Sequence, residues 1–303
     1  MVQENRVIVI CGATASGKSD LAIKLAQELN TEIISADSLA IYKKLDIGTA
    51  KPNDEERKLV KHHLIDCVDE KSSFSVGDYE NLAMPILKSL LNQGKIPIIC
   101  GGTGFYINSL IYDLSYGNTG ADEKIREKYK EIVALKGNEY LYSLLKSRDY
   151  ESSLKISPND VKRIIRALEI YDITGKKKSE ILDDKKPRFP FIAFMPEWDR
   201  EELYSRINFR VDLMLEKGLI EEVKGLISNG LTKENQCMQG IGYKETYDAI
   251  ISGDYSYLAE TIKQNTRRYA KRQITFFKKF ENLNYIRQND FEQLKDKVNK
   301  WIK

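Results

Sequence analysis

Gly12-Ala13-Thr14-Ala15-Ser16-Gly17-Lys18-Ser19 fits the phosphate-loop pattern G-x-x-x-x-G-K-[ST] at every fixed position. Its flanks agree. Val7-Ile8-Val9-Ile10 is a short apolar run of the kind that forms a buried parallel strand. After Ser19, Leu21, Ala22, Leu25, Ala26 and Leu29 recur at helical spacing. A strand, a glycine loop and a helix together aim backbone N–H groups and a helix N-terminus at an anion. Lys18 adds a point charge, and the Ser19 hydroxyl can ligate Mg2+. The stretch predicts a bound polyphosphate, and by itself does not distinguish a nucleotide from another polyphosphate.

Further along the chain, Glu32–Ser35 reads as a second strand running into Asp37, and His63–Asp66 as a short third one. Residues 39–60 read as loop and polar helix, broken at Gly48-Thr49-Ala50-Lys51-Pro52. Residues 76–93 have helical periodicity that stops at Gly94, with Pro85 expected to kink the helix. Ile96–Cys100 is a strand that leads directly into Gly101-Gly102-Thr103-Gly104. Strands alternating with helices predict an α/β fold, a phosphate-loop parallel sheet flanked by helices. Ligands of such sheets sit at the carboxyl ends of strands, so Ser16–Ser19, Asp37 and Thr103 should share one rim.

After about residue 115 the pattern changes. Residues 122–182 carry no convincing strand. Glu123–Leu135 and Asn138–Arg148 read as helices, and a third starts with Ser157 as N-cap and Pro158 at the first helical position, ending at Gly175. The expected organisation is a catalytic core of residues 1–115 and 189–303 with an all-helical insertion of residues 116–188. In the second part of the core, strand character returns at Phe189–Met195. Asp199 with Glu202 predicts a capping box, Tyr257–Phe280 a long helix, Leu283–Arg287 a last strand and 290–302 a closing helix.

The chain has 303 residues, 42% hydrophobic and 31% charged, which suffices for a large packed core. Its four cysteines are scattered without a C-x-x-C pair, which argues against a zinc site or disulfide framework. No apolar run approaches membrane-spanning length and the first strand starts within a few residues of Met1, so a cytoplasmic protein with no membrane segment or signal peptide is expected. Net charge is only +3, but Ser256–Phe280 holds seven basic residues and one acid, and Lys155–Arg188 ten basic and six acidic. Such local excess is either a phosphate footprint or a solvated helix face. His62 and His63 have no third ligand at metal-binding spacing and read as structural.

Several stretches taken in order resemble one family. They are the phosphate loop, Ser35–Ser38, Asp46–Pro52, His62–Asp66, Gly101–Tyr106, Arg163–Glu169, Gly240–Glu245 and Arg268–Gln273. Together they are similar to the bacterial tRNA dimethylallyltransferases, or tRNA isopentenyltransferases, over essentially the whole chain. The resemblance implies transfer of a dimethylallyl group from dimethylallyl diphosphate to N6 of the adenosine 3′ of the anticodon, tRNA position 37. It implies Mg2+, the tRNA anticodon stem-loop as partner, and no obligate protein partner, a monomer being the default. Gly12–Ser19 would then hold a leaving diphosphate.

The resemblance also implies roles for individual residues. Asp37 would accept the N6 proton, Thr103 would contact the adenosine or the diphosphate, and Arg210 would steady the diphosphate. Asp37, Ser38, Leu39 and Ala40 match a segment that touches the substrate adenosine, with Ala40 where many relatives have glutamine. Arg126 and Lys162-Arg163-Ile164-Ile165-Arg166 match tRNA contacts of the insertion, although periodicity alone puts Ile164 and Ile165 in the core. Gln239, Gly240, Ile241, Gly242, Tyr243 and Lys244 would form another contact loop. The competing readings are a phosphate-loop small-molecule kinase, a prenyltransferase of free adenine nucleotides, and a nucleotide-dependent RNA-binding switch. Asp46–Pro52 and Arg268–Gln273 argue against the first, the helical insertion against the second, and Asp37, left without a job, against the third.

Overall fold

A computed structural model describes residues 5–114, 120–181, 186–288 and 290–303. Its contacts divide the chain into two units, Met1–Ile111 with Pro187–Lys303, and Tyr112–Lys186. The expected boundary at residues 115 and 116 lies outside the described residues.

The first unit is built on six strands, β1 (Val7–Cys11), β2 (Ile33–Ser35), β3 (His62–His63), β4 (Ile98–Gly101), β5 (Phe191–Glu197) and β6 (Leu283–Arg287). They pair in the order β3-β2-β4-β1-β5-β6, all parallel. Val7 to Cys11 are fully buried and the Ile33–Ser35 and Ile98–Gly101 runs are buried throughout, which is why these strands read as continuous apolar runs. Four helices accompany the first four strands: α1 (Lys18–Glu28), α2 (Asp54–Leu59), α3 (Val76–Asn92) and α4 (Gly104–Ile111). The side of α1 that carries Leu21, Ala22, Leu25 and Ala26 packs on Ile8, Ile10 and Phe194. Each of the buried leucines, isoleucines and the phenylalanine contributes roughly 1.5–3 kcal/mol of apolar transfer, the alanines less. Helix α3 runs through Pro85 and buries Tyr79, Ala83, Leu87, Leu90 and Leu91. Third-strand character ends at His63, because Leu64 and Asp66 take left-handed backbone.

The second unit contains α5 (Glu123–Arg148), α6 (Tyr150–Ser153) and α7 (Val161–Thr174). Gly137, at φ 78°, interrupts α5 where two helices were expected. Ser157 is not the cap of α7. It starts a turn in which Asp160 N–H donates to the Ser157 carbonyl, and the Asp160 carboxylate caps Arg163 N–H. Tyr129, Leu141, Leu145, Ile164, Ile165 and Leu168 form this unit's core.

The first unit then continues with α8 (Arg200–Glu216), α9 (Leu219–Ser228), α10 (Tyr243–Ser252), α11 (Leu258–Phe277) and α12 (Phe291–Ile302). Helix α8 starts where Asp199 predicts, but no capping box forms, because Glu202 accepts from the Gln288 side chain. No helix among the described residues is long and apolar enough to cross a membrane.

Candidate active site

Strands β2, β4 and β1 are neighbours, and the loops after their carboxyl ends meet on one rim. The phosphate loop leaves β1 with Gly12 at φ 141°, Ala15 at φ 60° and Gly17 at φ 83°, and α1 begins at Lys18. Gly17, as N-cap, offers no side chain, so the first N–H groups of α1 are left for an anion. The outer side of the loop is held by groups from distant sequence. Trp198 Nε1 donates to the Ser16 carbonyl at 2.9 Å, and Arg206, stacked 4.3 Å from the Trp198 ring centre, donates to the Ala15 carbonyl at 2.8 Å. Thr14 N–H donates to Gln273 Oε1 at 3.0 Å, and Gln273 Nε2 donates to the Gly102 carbonyl at 3.0 Å. Gln273, on α11, thus ties one glycine loop to the other.

A cavity of about 360 Å³ opens beside this rim. Thr14, Lys18, Ser19, Asp37–Ala40, Arg210, Gln239 and Ile241 are among its walls. Lys18 Nζ donates to the Ala13 carbonyl at 3.2 Å. Burial depresses its pKa, Arg210 adds to the depression, and Cys100 and Asp37 oppose it. Burial likewise lowers the Arg210 pKa against the pull of Asp37. Two poorly hydrated cations facing one cavity are a site prepared for a multiply charged anion. The Ser16 hydroxyl, buried in the same loop, has no hydrogen-bond partner among the described residues.

Asp37 Oδ1 accepts from Leu39 N–H at 2.9 Å and Ala40 N–H at 3.1 Å, which fixes the carboxylate at the cavity wall. Its Oδ2 has no hydrogen-bond partner among the described residues. Thr103 is tied to the Asp37 turn. Its hydroxyl accepts from Ser38 N–H at 3.0 Å and lies 3.2 Å from Ser38 Oγ, so it props the turn that carries Asp37. Beside it, burial pushes the Tyr269 phenol up to about 12.

The Asp46–Pro52 stretch forms another wall. Glu222 of α9 accepts from three successive N–H groups, Asp46 at 2.9 Å, Ile47 at 2.8 Å and Gly48 at 3.3 Å, and from Tyr243 Oη at 2.6 Å. Lys51 is buried against the Tyr42 carbonyl, Asp46 and Asp66. The Thr49 carbonyl accepts from Arg210 Nη2 at 3.0 Å. Gly48 lies so close to the Tyr243 ring that a Cβ would come within 2.5 Å of it. In the expected tRNA-contact loop the Tyr243 side chain is fully buried and Gly242 is buried too, whereas Lys244 is exposed. Gly240 packs on Leu39.

Within the helical unit, Ile164 and Ile165 are core residues and not surface contacts, as their periodicity implies. Arg126 Nε and Arg166 Nη1 both reach the fully buried Glu169 carboxylate, at 2.8 Å and 2.5 Å. Lys162 and Arg163 are exposed.

No three His, Cys, Asp or Glu side chains among the described residues group as a metal site. His62 instead shares Nδ1 with the Val60 carbonyl, and His63 pairs with Glu32. A phosphate-bound cation needs no such cluster, since it takes a hydroxyl, phosphate oxygens and water. Ser19 fits that demand: it is exposed on the cavity wall.

A parallel sheet with a phosphate loop, a fixed carboxylate on the adjoining rim and two cations facing one cavity defines a phosphate-loop group-transfer enzyme. The family model described as IPP transferase matches residues 40–280, and the chain belongs to that family. It is 48% identical over 293 residues to a tRNA dimethylallyltransferase of Acetivibrio thermocellus, covering 95% of this chain and 93% of that protein. It is 44% identical over 307 residues to one of Thermoanaerobacter pseudethanolicus, covering 98% and 97%. Among solved structures it is similar to a full-length tRNA isopentenylpyrophosphate transferase from Bacillus halodurans, at 38% identity, 99% and 96% coverage and a TM-score of 0.72. It is also similar to a eukaryotic dimethylallyltransferase acting on tRNA, at 32% identity, 98% and 77% coverage and a TM-score of 0.81.

Glu222, Trp198 and Arg206 had no role in the sequence reading, and Gln273 entered it only as the end of the Arg268–Gln273 stretch, with no task of its own.

Proposed function

We infer that the chain transfers a dimethylallyl group from dimethylallyl diphosphate to N6 of the adenosine at tRNA position 37, releasing diphosphate. In this reading the N6 lone pair attacks C1 of the allyl group. The C1–O bond breaks and its electron pair leaves on the diphosphate. The N6 proton passes to Asp37, the general base. Lys18, Arg210 and the N–H groups at the start of α1 hold the departing oxygens and stabilise the charge that grows on them. Ser19 would hold a Mg2+ ion, which when bound supplies further neutralisation of that charge. Thr103 acts through Ser38, keeping the Asp37 turn in place. Lys162 and Arg163, with Lys244, meet tRNA phosphates, and loop adenosines are cheap to unstack.

The observation that carries this reading is the Asp37 carboxylate. One oxygen is pinned by two N–H groups and the other has no hydrogen-bond partner among the described residues, on a cavity it shares with Lys18, Ser19 and Arg210. The test is incubation with labelled dimethylallyl diphosphate and either unmodified tRNA or AMP. Label should enter tRNA alone. Asp37→Asn should bind tRNA normally and lose on the order of 10²–10⁴ in turnover. Label in AMP, or an Asp37→Asn enzyme of full activity, overturns the assignment.

A further inference from the structure

Ala15 holds a backbone conformation that its side chain disfavours. Its φ is 60°, in the left-handed region, where a Cβ crowds the following carbonyl oxygen. A residue stays there only when its surroundings over-determine it. Two side chains do so here. Arg206 Nε donates to the Ala15 carbonyl at 2.8 Å, and Trp198 Nε1 donates to the next carbonyl, that of Ser16, at 2.9 Å. The two donors also hold each other, the Arg206 guanidinium lying 4.3 Å from the Trp198 ring centre. Ala15 and Trp198 pack on one apolar cluster with Leu203 and Ile207.

A trans peptide is planar, with its C=O and N–H pointing to opposite sides. The Ala15 carbonyl shares its peptide with Ser16 N–H, and the Ser16 carbonyl shares its own with Gly17 N–H. Trp198 and Arg206 draw both carbonyls away from the cavity, for neither side chain lines it, whereas Thr14, Lys18 and Ser19 of the loop do. Two successive N–H groups are thereby turned the other way. Ser16 N–H reaches the Ala13 carbonyl only at 3.4 Å, and Gly17 N–H has no hydrogen-bond partner among the described residues. The buried Ser16 hydroxyl beside them is likewise without one. Successive N–H groups brought together around left-handed residues, here Ala15 and Gly17, make an anion-binding concavity.

We propose that Trp198 and Arg206 are positioning residues for the leaving group. By holding two carbonyls outward, they keep Ser16 N–H and Gly17 N–H aimed at the diphosphate before it arrives, so that binding does not have to reorder the loop. The proposal rests on the reading of the phosphate loop as the holder of the prenyl donor's diphosphate. It gives α8 a task at the loop's outer side besides that of Arg210 at the cavity.

The test is calorimetric titration of the full chain with inorganic diphosphate and equimolar Mg2+. Trp198→Phe keeps an aromatic face for Arg206 and loses the donor. Arg206→Met keeps bulk and loses both donor and charge. Each should weaken diphosphate binding about threefold or more, because the left-handed Ala15 is no longer held, while KM for tRNA stays unchanged. Ala15→Gly added to either variant should return the affinity to near that of wild type, since glycine takes a positive φ at no steric cost. Glycine restores neither lost packing nor a missing positive charge, so the recovery belongs to the loop conformation alone. Should Trp198→Phe fail to fold, Arg206→Met, at an exposed position, decides by itself. A folded variant with wild-type affinity, or a loss that Ala15→Gly leaves in place, overturns the proposal and leaves the donor-site reading intact. A wild-type chain that does not bind diphosphate overturns that reading and the proposal with it.

Discussion

Removing the Glu222 carboxylate should loosen the Asp46–Pro52 wall and, through it, Arg210. Hydrogen bonds to a charged group contribute about 1.5–3 kcal/mol each. Four converge on Glu222, but they are not equal. The Asp46 N–H is exposed, and water replaces the carboxylate there. The Gly48 bond is long at 3.3 Å. The bonds from Ile47 at 2.8 Å and Tyr243 at 2.6 Å carry most of the effect. Glu222→Ala is therefore expected to cost about 3–5 kcal/mol, part of it from leaving the buried Tyr243 hydroxyl orphaned. Glu222→Gln, which keeps one carbonyl acceptor, should cost about 1–2 kcal/mol. Urea unfolding at neutral pH reads both. Tyr243→Phe in the alanine background should then restore stability instead of reducing it further, because it removes the orphaned hydroxyl. In the glutamine variant the Thr49 carbonyl holds Arg210 Nη2 less firmly, so KM for dimethylallyl diphosphate should rise while KM for tRNA stays put. A loss under about 1 kcal/mol in Glu222→Ala would refute the idea that this carboxylate organises the loop.

Gly48→Ala should destabilise by about 1–3 kcal/mol, since the new methyl meets the fully buried Tyr243 ring; a thermal melt unchanged from wild type contradicts that packing. Glu32 ties three neighbouring strands through His63 at 2.7 Å, Lys95 at 2.6 Å and Lys61 at 3.3 Å. Burial raises its pKa, but the bonds from Lys95, His63 and Lys61 outweigh it and hold the carboxyl at about 2. Because the folded value lies below the ordinary 4.5, this stabilisation is complete above pH 4.5 and fades as pH falls through about 2. Allowing for solvent screening, it amounts to about 1–2 kcal/mol, so Glu32→Gln should be less stable by that amount at pH 7 and level with wild type near pH 2, as read by denaturant midpoints. If Lys162 and Arg163 each neutralise a phosphate, replacing either by alanine lowers the slope of log affinity for tRNA against log salt by about 0.7–0.9. An unchanged slope removes that residue from the interface.

The rim of the sheet was legible because its three signals each follow an apolar run directly. Gly12–Ser19, Asp37 and Thr103 need only the rule that parallel sheets bind ligands at strand ends. Periodicity also placed Ile164 and Ile165 correctly, where the family resemblance assigned them to tRNA. Local cap signals were less secure. Ser157-Pro158 reads as a helix start, yet Asp160 three residues on competes for the same task and wins. Invisible to sequence reading were contacts made across long chain separations. Gln273 meets Thr14 over 259 residues, and Glu222 meets Asp46 over 176. Such pairings depend on how α9 and α11 dock on the sheet, which no local pattern encodes. Thr103 shows the same limit on a small scale: no local pattern signals that its hydroxyl meets Ser38 N–H, 65 residues away.

Trp198 donates to the phosphate loop and carries Arg206 on its face. The chain has one other tryptophan, Trp301, packed in α12 with Arg6 beside its ring at 5.5 Å. One indole therefore reports on the cradle and the other on the closing helix. Intrinsic fluorescence divides into an occupancy signal and an internal reference once Trp301 is replaced by phenylalanine and the difference taken. The phosphate loop thus carries an indole through which changes there can be followed with no attached dye and no labelled substrate.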